Sequence, residues 1–348
     1  MKQGISVIVC CYNSQSRLPE TLRHLITQQA NGINWEIVVV DNASKDKTSE
    51  TATHILSAAL PAEKYKVVNE PEPGLSNARK CGYVNSQYDL LLFCDDDNWM
   101  DEHYLEIANN IMRNNLHIGI LGGLGEAVFE KTKPIWFDKY QINFAVGPQG
   151  ADTLPFTEVQ SAYGAGFIVR RQLFDTFADV GFKSLLSDRK GNQLISGGDT
   201  ETCIIARMLS YTIAFSAALK FKHLMTKERM SWNYLKKLHF GFGQMRLYLH
   251  AYEYVKTHNK IPGQGLRFPL WLDKYIHLTR QLIKFYPGIW FKLQNEGDDT
   301  VLKYVALKGE MAELRKLKNN YLTVFESLLS LSNRIENFKK QREAIKHA

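Results

Sequence analysis

Apolar runs and helical stripes alternate through the first part of the chain. Ile5–Cys10 is a near-continuous β-branched run, Leu18, Leu22, Leu25 and Ile26 recur at helical spacing within 18–29, and Trp35–Val40 is a second apolar run ending at Asp41. Near-continuous apolar runs suit strands covered on both faces, and the stripes between them suit the covering helices. The same alternation predicts a helix over 48–60, a short strand over 65–68, a turn at Pro71–Gly74, a helix over 75–86, and a strand over 89–94 that stops at Asp95, Asp96 and Asp97. Polar residues therefore collect at strand C-terminal ends, the rim where open α/β sheets bind ligands.

From Ile118 to Phe156 the spacing of Gly119, Gly122, Gly123, Gly125, Gly147 and Gly150 predicts short strands and loops. Residues 163–169 read as a strand, 171–177 as a helix, 196–199 as a loop entering a helix that runs to Ser210, and 211–216 as a strand. Beyond Lys220 only helical stripes remain, over 232–254, 271–293 and 301–346. No internal repeat or low-complexity linker interrupts them, and Pro262-Gly263-Gln264-Gly265 is the clearest break. The pattern predicts an α/β domain over 1–225, with a mostly parallel central sheet and helices on both faces, and a helical extension over 226–348.

Charge divides the chain in a similar way. The total is +7 in 348 residues, but residues 1–216 carry 19 basic and 25 acidic side chains while 217–348 carry 24 and 11. A basic half of this kind faces an anionic partner, either nucleic acid or a membrane surface. With 45% hydrophobic and 23% charged residues, disorder and fibrous structure are excluded. The five cysteines form neither a disulfide framework nor a CxxC zinc pattern, the N-terminal apolar run is too short for a signal peptide, and no run approaches the roughly 18 apolar residues of a spanning helix. The expected location is cytoplasmic.

The acidic triplet is the strongest chemical feature. Three adjacent carboxylates at a strand end repel one another unless a cation compensates, so the triplet is either a site for a hard divalent ion or a solvated turn capping the next helix. Asp41 ends another strand on the same rim, and Arg79 lies one turn into a helix starting near it, placed either for a diphosphate or simply on the surface. Asp199 follows two glycines at a helix start and reads equally as a catalytic base or a cap. No GxGxxG follows the first strand, and no GxxxxGK[ST] or GxSxG occurs, which removes the simplest redox, NTPase and hydrolase readings.

Five segments then resemble one known family in order: Ser6-Val-Ile-Val-Cys-Cys-Tyr12-Asn13, Glu36-Ile-Val-Val-Val-Asp41-Asn-Ala-Ser44, Gly74-Leu-Ser-Asn-Ala-Arg79, Phe93-Cys-Asp95-Asp96-Asp97 and Gly197-Gly-Asp199-Thr-Glu201. Over residues 4–225 the chain resembles the family 2 inverting glycosyltransferases of the GT-A fold. The resemblance implies a nucleotide-diphosphate-sugar donor, Mn²⁺ or Mg²⁺, and single displacement by an acceptor hydroxyl. It implies that Cys10, Tyr12 and Asp41 contact the nucleoside, with Arg79 near the nucleotide. Asp95 and Asp96 would reach ribose or metal-bound water, with Asp97 the principal metal ligand and Asp95 beside it; Asp199 would be the general base. The family often has Glu before this Asp, whereas Gly198 stands here, so Glu201 is a candidate for part of that role. His223 falls where some relatives add a metal or diphosphate contact, or is a packed histidine.

The basic region shows no zinc finger, RRM signature or basic-region pattern, so no nucleic acid is expected. Within 271–293, Trp271, Tyr275, Phe285, Tyr286, Trp290 and Phe291 interleave with Lys274, Arg280, Lys284 and Lys292, the composition of a helix lying on anionic lipid or of one packed on the catalytic domain. The expectation is a metal-dependent inverting glycosyltransferase, peripheral on the inner face of the cell membrane, that builds an envelope polysaccharide or related glycan on a glycan or lipid-linked acceptor. Two rivals remain: a sugar-phosphate nucleotidyltransferase and a non-catalytic nucleotide-sugar-binding protein.

Overall fold

The structure, a computed structural model, describes residues 1–186, 197–263, 269–285 and 288–347. The chain forms two compact units: residues 1–132, 140–176 and 202–226, and residues 133–139, 177–201 and 227–348. The strands are β1 (Lys2–Cys11), β2 (Trp35–Asn42), β3 (Tyr65–Glu70), β4 (Tyr88–Asp95), β5 (Asn98–Met100), β6 (Ile118–Phe129), β7 (Thr157–Glu158), β8 (Ile168–Arg170) and β9 (Thr212–Met225). The helices are α1 (Leu18–Ile26), α2 (Thr48–Ala59), α3 (Leu75–Asn85), α4 (Tyr104–Asn114), α5 (Phe137–Tyr140), α6 (Arg171–Asp179), α7 (Gly198–Met208), α8 (Trp232–His258), α9 (Leu270–Phe285), α10 (Ile289–Lys292), α11 (Asp299–Leu317) and α12 (Tyr321–His347).

The first unit is built on one sheet of order β3-β2-β1-β4-β8-β6-β9-β5, with β7 on β9. Strands β1 to β4 are mutually parallel. Because β8 runs antiparallel to both β4 and β6, and β9 parallel to β6, the long strands all share one direction and only β5, β7 and β8 oppose it. Alternate β1 residues Ile5, Val7 and Val9 pack into a core with Leu18, Leu22 and Leu25 of α1, Leu56 of α2 and Leu105 and Met112 of α4. On the opposite face α3 sits so close that a methyl group at Gly82 would strike Ile8 and crowd Val40. Helices thus cover both faces, as the largely apolar strands require.

Three segments differ from the pattern-based expectation. The glycine-rich stretch contains one twelve-residue strand, β6, in which glycine admits close neighbours: a side chain at Gly123 would meet Leu219 and Tyr104, and one at Gly125 the carbonyl of Ala145. The strand expected over 163–169 is reduced to 168–170, since Gly166 takes φ +72°, a left-handed conformation that interrupts the extended chain. The strand expected over 211–216 continues to Met225, so sheet persists past Lys220.

The second unit is helical. Helices α8 and α11 cross at a reciprocal pair of glycines, Gly243 against the Ala306 backbone and Gly309 against the Phe240 backbone. The stripe over 301–346 is two helices, α11 and α12, separated by a turn at Lys318–Asn320 in which Lys318 has φ +42°. The stripe over 271–293 is α9 and α10; Tyr286, and the Gln264-Gly265 half of the expected break, lie outside the described residues.

Candidate active site at the sheet edge

Parallel register assembles the site in the first unit. Cys10 of β1 pairs with Asp95 of β4, and Cys11 with Asp41 of β2, so three strand ends bring the thiol and both carboxylates to one edge. Asp41 is buried and accepts hydrogen bonds from the Ser49 hydroxyl at 2.6 Å and the Ser44 N–H at 3.2 Å. Tyr12, just beyond β1, is 43% exposed and its ring is open to a ligand. The Arg79 guanidinium lies 5.8 Å from the Phe93 ring centre and 5.4 Å from that of Phe167, which fixes its orientation. Burial pushes the Cys10 thiol up to about 12 despite the nearby Arg79 charge, with Asp95 and Asp96 adding to the rise, so Cys10 stays neutral at physiological pH.

The triplet divides into different environments. Asp95 is half-buried, and its N–H donates to Asn98 Oδ1 at 3.2 Å. Asp96 is buried, paired with Arg17 at 2.7 Å and hydrogen-bonded by the Ser14 hydroxyl, while its carbonyl accepts from Thr21 Oγ1 at 2.8 Å. Burial, then the adjacent Asp97 charge, raises the Asp96 carboxyl above the usual range, and Arg17 opposes the rise. Asp97 is 1% exposed; Asn98 Nδ2 donates to its Oδ1 at 3.3 Å, and His223 Nε2 stands 3.4 Å from the same oxygen. The β5–β9 register, which pairs Asn98 with His223, fixes this approach.

Among the described residues no group of three His, Cys, Asp or Glu side chains converges on a metal position. Hard divalent ions bound with a nucleotide typically take one or two protein ligands and complete their shell with phosphate and water. Asp97 with the His223 imidazole, and Asp95 along the same edge, fit that donor chemistry. Asp96 already has a cation in Arg17.

Asp199 belongs to the second unit and stands at the first turn of α7, half-buried, with its Oδ1 accepting from the Thr200 N–H at 2.8 Å. Ser196, expected to begin the preceding loop, lies outside the described residues. Glu201 is fully buried. Its carboxylate accepts from Tyr252 Oη at 2.6 Å, the Leu185 N–H at 2.9 Å, the Leu186 N–H at 3.3 Å and the Ser184 hydroxyl, and these contacts tie residues 184–186 and α8 to the start of α7.

Arg17 and Ser14 were not anticipated from sequence, although a buried carboxylate in a triplet demands a counter-charge. His223 did carry a signal: Leu219, Phe221, His223 and Met225 alternate with Lys220 and Lys222, which puts the imidazole on the buried side of a strand.

Residues 6–177 match the family described as Glycosyl transferase family 2. The succinoglycan biosynthesis protein ExoM of Rhizobium meliloti (strain 1021) is 26% identical over 69% of this chain and 73% of its own length. Other curated relatives are matched over short stretches: a dolichol-phosphate mannosyltransferase of Pyrococcus furiosus is 37% identical over 27% of this chain and 25% of its length, and the match spans 14% of the glycosyltransferase GlyA of Streptococcus pneumoniae. Among solved structures, GalNAc-T7 with UDP, GalNAc and Mn²⁺ is similar in fold, with a TM-score of 0.50 at 14% identity over 72% of this chain and 50% of that one. The α/β architecture is that of the GT-A fold with a helical C-terminal extension.

Proposed function

We propose that this chain, whose residues 6–177 match Glycosyl transferase family 2, is a glycosyltransferase that carries out a metal-dependent, inverting transfer of a sugar from a nucleotide-diphosphate donor to an acceptor hydroxyl. The observation that carries the reading is the sheet edge where Cys10, Asp41 and Asp95 are set side by side by strand register. Tyr12 offers its exposed ring to the base, Asp41 accepts from it, and Cys10 packs as a neutral thiol beside the nucleoside. Arg79 faces the nucleotide, and Asp96, held by Arg17, shapes the ribose side. Asp97, with Asp95 beside it, holds Mn²⁺ or Mg²⁺. The ion, when bound, neutralises charge on the leaving diphosphate. Asp199 takes the proton from the acceptor hydroxyl as its oxygen attacks the anomeric carbon.

The acceptor is a glycan or lipid-linked saccharide, in keeping with the polysaccharide role in the name of ExoM. Among the described residues no helix is long and apolar enough to cross a membrane. Helices α9 and α10 nonetheless expose Ile283 (60%), Trp290 (62%) and Phe291 (88%) beside exposed Lys284 and Lys292, which supports peripheral attachment to an anionic inner membrane face.

Incubating the protein with a panel of sugar nucleotides and Mn²⁺ tests the reading. Release of nucleoside diphosphate, lost on chelation, is expected. Pyrophosphate release from NTP and sugar phosphate would identify a nucleotidyltransferase instead, and tight donor binding without turnover a binding protein.

A further inference from the structure

The second unit holds a cleft between α9 and α11, of about 350 Å³. Phe240 of α8, Leu282 of α9 and Met311 of α11 give it an apolar lining, and the exposed Ile283 stands at its margin. Tyr304, Lys308, Met311 and Arg315 follow one another at three- and four-residue intervals, so they form a single stripe along α11. Lys308 and Arg315 are seven residues apart, about 10 Å along a helix axis. Among the described residues no acid lines the cleft.

The acids of α11 are committed elsewhere. Glu310 is buried with Lys274 at 2.8 Å, and Glu313 is buried with Tyr248 Oη at 2.9 Å and Gln244 Nε2 at 3.1 Å. The cations at the cleft sit against aromatic rings: Lys308 lies 5.7 Å from the Tyr304 ring centre, and Arg315 lies 5.5 Å from that of Tyr275, whose hydroxyl it meets at 3.1 Å. Among the described residues neither forms an ion pair. The buried carboxylates of α11 are thus engaged by α8 and α9, while Lys308 and Arg315 face an apolar slot.

We propose that this cleft binds one anionic phospholipid, with an acyl chain against Phe240, Leu282 and Met311 and the phosphate held by Lys308 and Arg315. Apolar lining selects the chain, and two cations without an acid select the negative headgroup. The proposal deepens, and rests on, the membrane attachment proposed above: it assigns part of the attachment to a built pocket for a single lipid, where a general interfacial helix would need none.

The test uses the full chain and two kinds of probe. Short-chain phosphatidylglycerol below its micellar concentration should bind and raise the melting temperature, whereas phosphatidylcholine of equal chain length and inorganic phosphate should not. The double variant Lys308→Glu/Arg315→Glu should bind the short-chain phosphatidylglycerol at least about tenfold more weakly, each lost charge-assisted contact being equivalent to a substantial part of a decade. Ala312→Phe, which narrows the slot and keeps both cations, should also weaken it. Equal binding by wild type and both variants, or an equal response to inorganic phosphate, overturns the cleft. Vesicles of phosphatidylglycerol separate the two readings. If wild type and double variant bind them equally and monomeric lipid does not bind, membrane attachment stands and the cleft falls; if monomeric lipid binds and the vesicles do not, the cleft stands and the attachment falls.

Discussion

His223 Nε2 lies 3.4 Å from Asp97 Oδ1, and both side chains are almost completely buried at the edge of the sheet. Strand pairing of Asn98 with His223 produces this approach, so an imidazole and a carboxylate some 126 positions apart in sequence are held as neighbours by the backbone. A buried carboxylate of this kind needs compensating hydrogen bonds or a nearby positive charge.

If the pair serves an ion, its two members respond differently. Asp97→Asn should lower transfer at least about 100-fold with the fold intact, since it removes the principal ligand. His223→Ala should raise the Mn²⁺ concentration for half-maximal activity by about tenfold or more. Mn²⁺ titration of activity, with circular dichroism as the control for folding, checks both; an unchanged Mn²⁺ requirement in His223→Ala would remove the imidazole from the metal site.

Glu201 is expected to act through structure. Its carboxylate is surrounded by Tyr252, Ser184 and the Leu185 and Leu186 N–H groups. Glu201→Ala would leave several of these buried donors unpaired and should destabilise the protein by about 3 kcal/mol, with Tyr252→Phe costing about 1 kcal/mol. Urea unfolding measures both, and a Glu201→Ala protein of wild-type stability would contradict the assignment.

The α8–α11 crossing sets helix propensity against packing. In an isolated helix, Gly→Ala stabilises by about 1 kcal/mol. At Gly243 or Gly309 the added methyl would run into the carbonyl of Ala306 or Phe240, so Gly243→Ala and Gly309→Ala should each destabilise by about 2 kcal/mol net. Thermal melts decide the sign.

His239 gives stability a pH dependence. Burial first, then the Arg246 charge, hold its imidazole at about 4 against an ordinary 6.5, with Asp299 opposing. As pH falls from 6.5 towards 4 the unfolded chain takes up a proton that the folded protein refuses, so this contribution is present above 6.5 and is lost on acidification. Partial exposure of the ring limits the loss to about 1–2 kcal/mol. The titration-silent variant His239→Phe should therefore lose less unfolding free energy than wild type between pH 7.5 and 4.5; parallel losses would contradict it.

The sheet-edge residues were legible because near-continuous apolar runs end abruptly at Cys11, Asp41 and Asp95, and parallel register aligns those ends. Glycine obscured β6, because the same absence of a side chain that suggests a loop here admits Ala145 and Leu219 against a strand. The partnership of Arg17 with Asp96 was hidden for another reason: the two are 79 positions apart, and no local pattern announces which cation answers a buried acid. Periodicity showed the C-terminal helices but not the α11–α12 turn, where Lys318 breaks the register through a left-handed conformation.

The most direct test of the central claim compares donor binding and turnover in wild type and Asp199→Asn, with a reactive sugar nucleotide and saturating Mn²⁺. Loss of a general base costs about 100-fold or more in rate while leaving the donor contacts in place. The expected result is calorimetric donor affinity within about threefold of wild type and transfer reduced at least about 100-fold. Near-normal transfer by Asp199→Asn, or wild-type turnover that survives complete removal of divalent metal, would contradict the account.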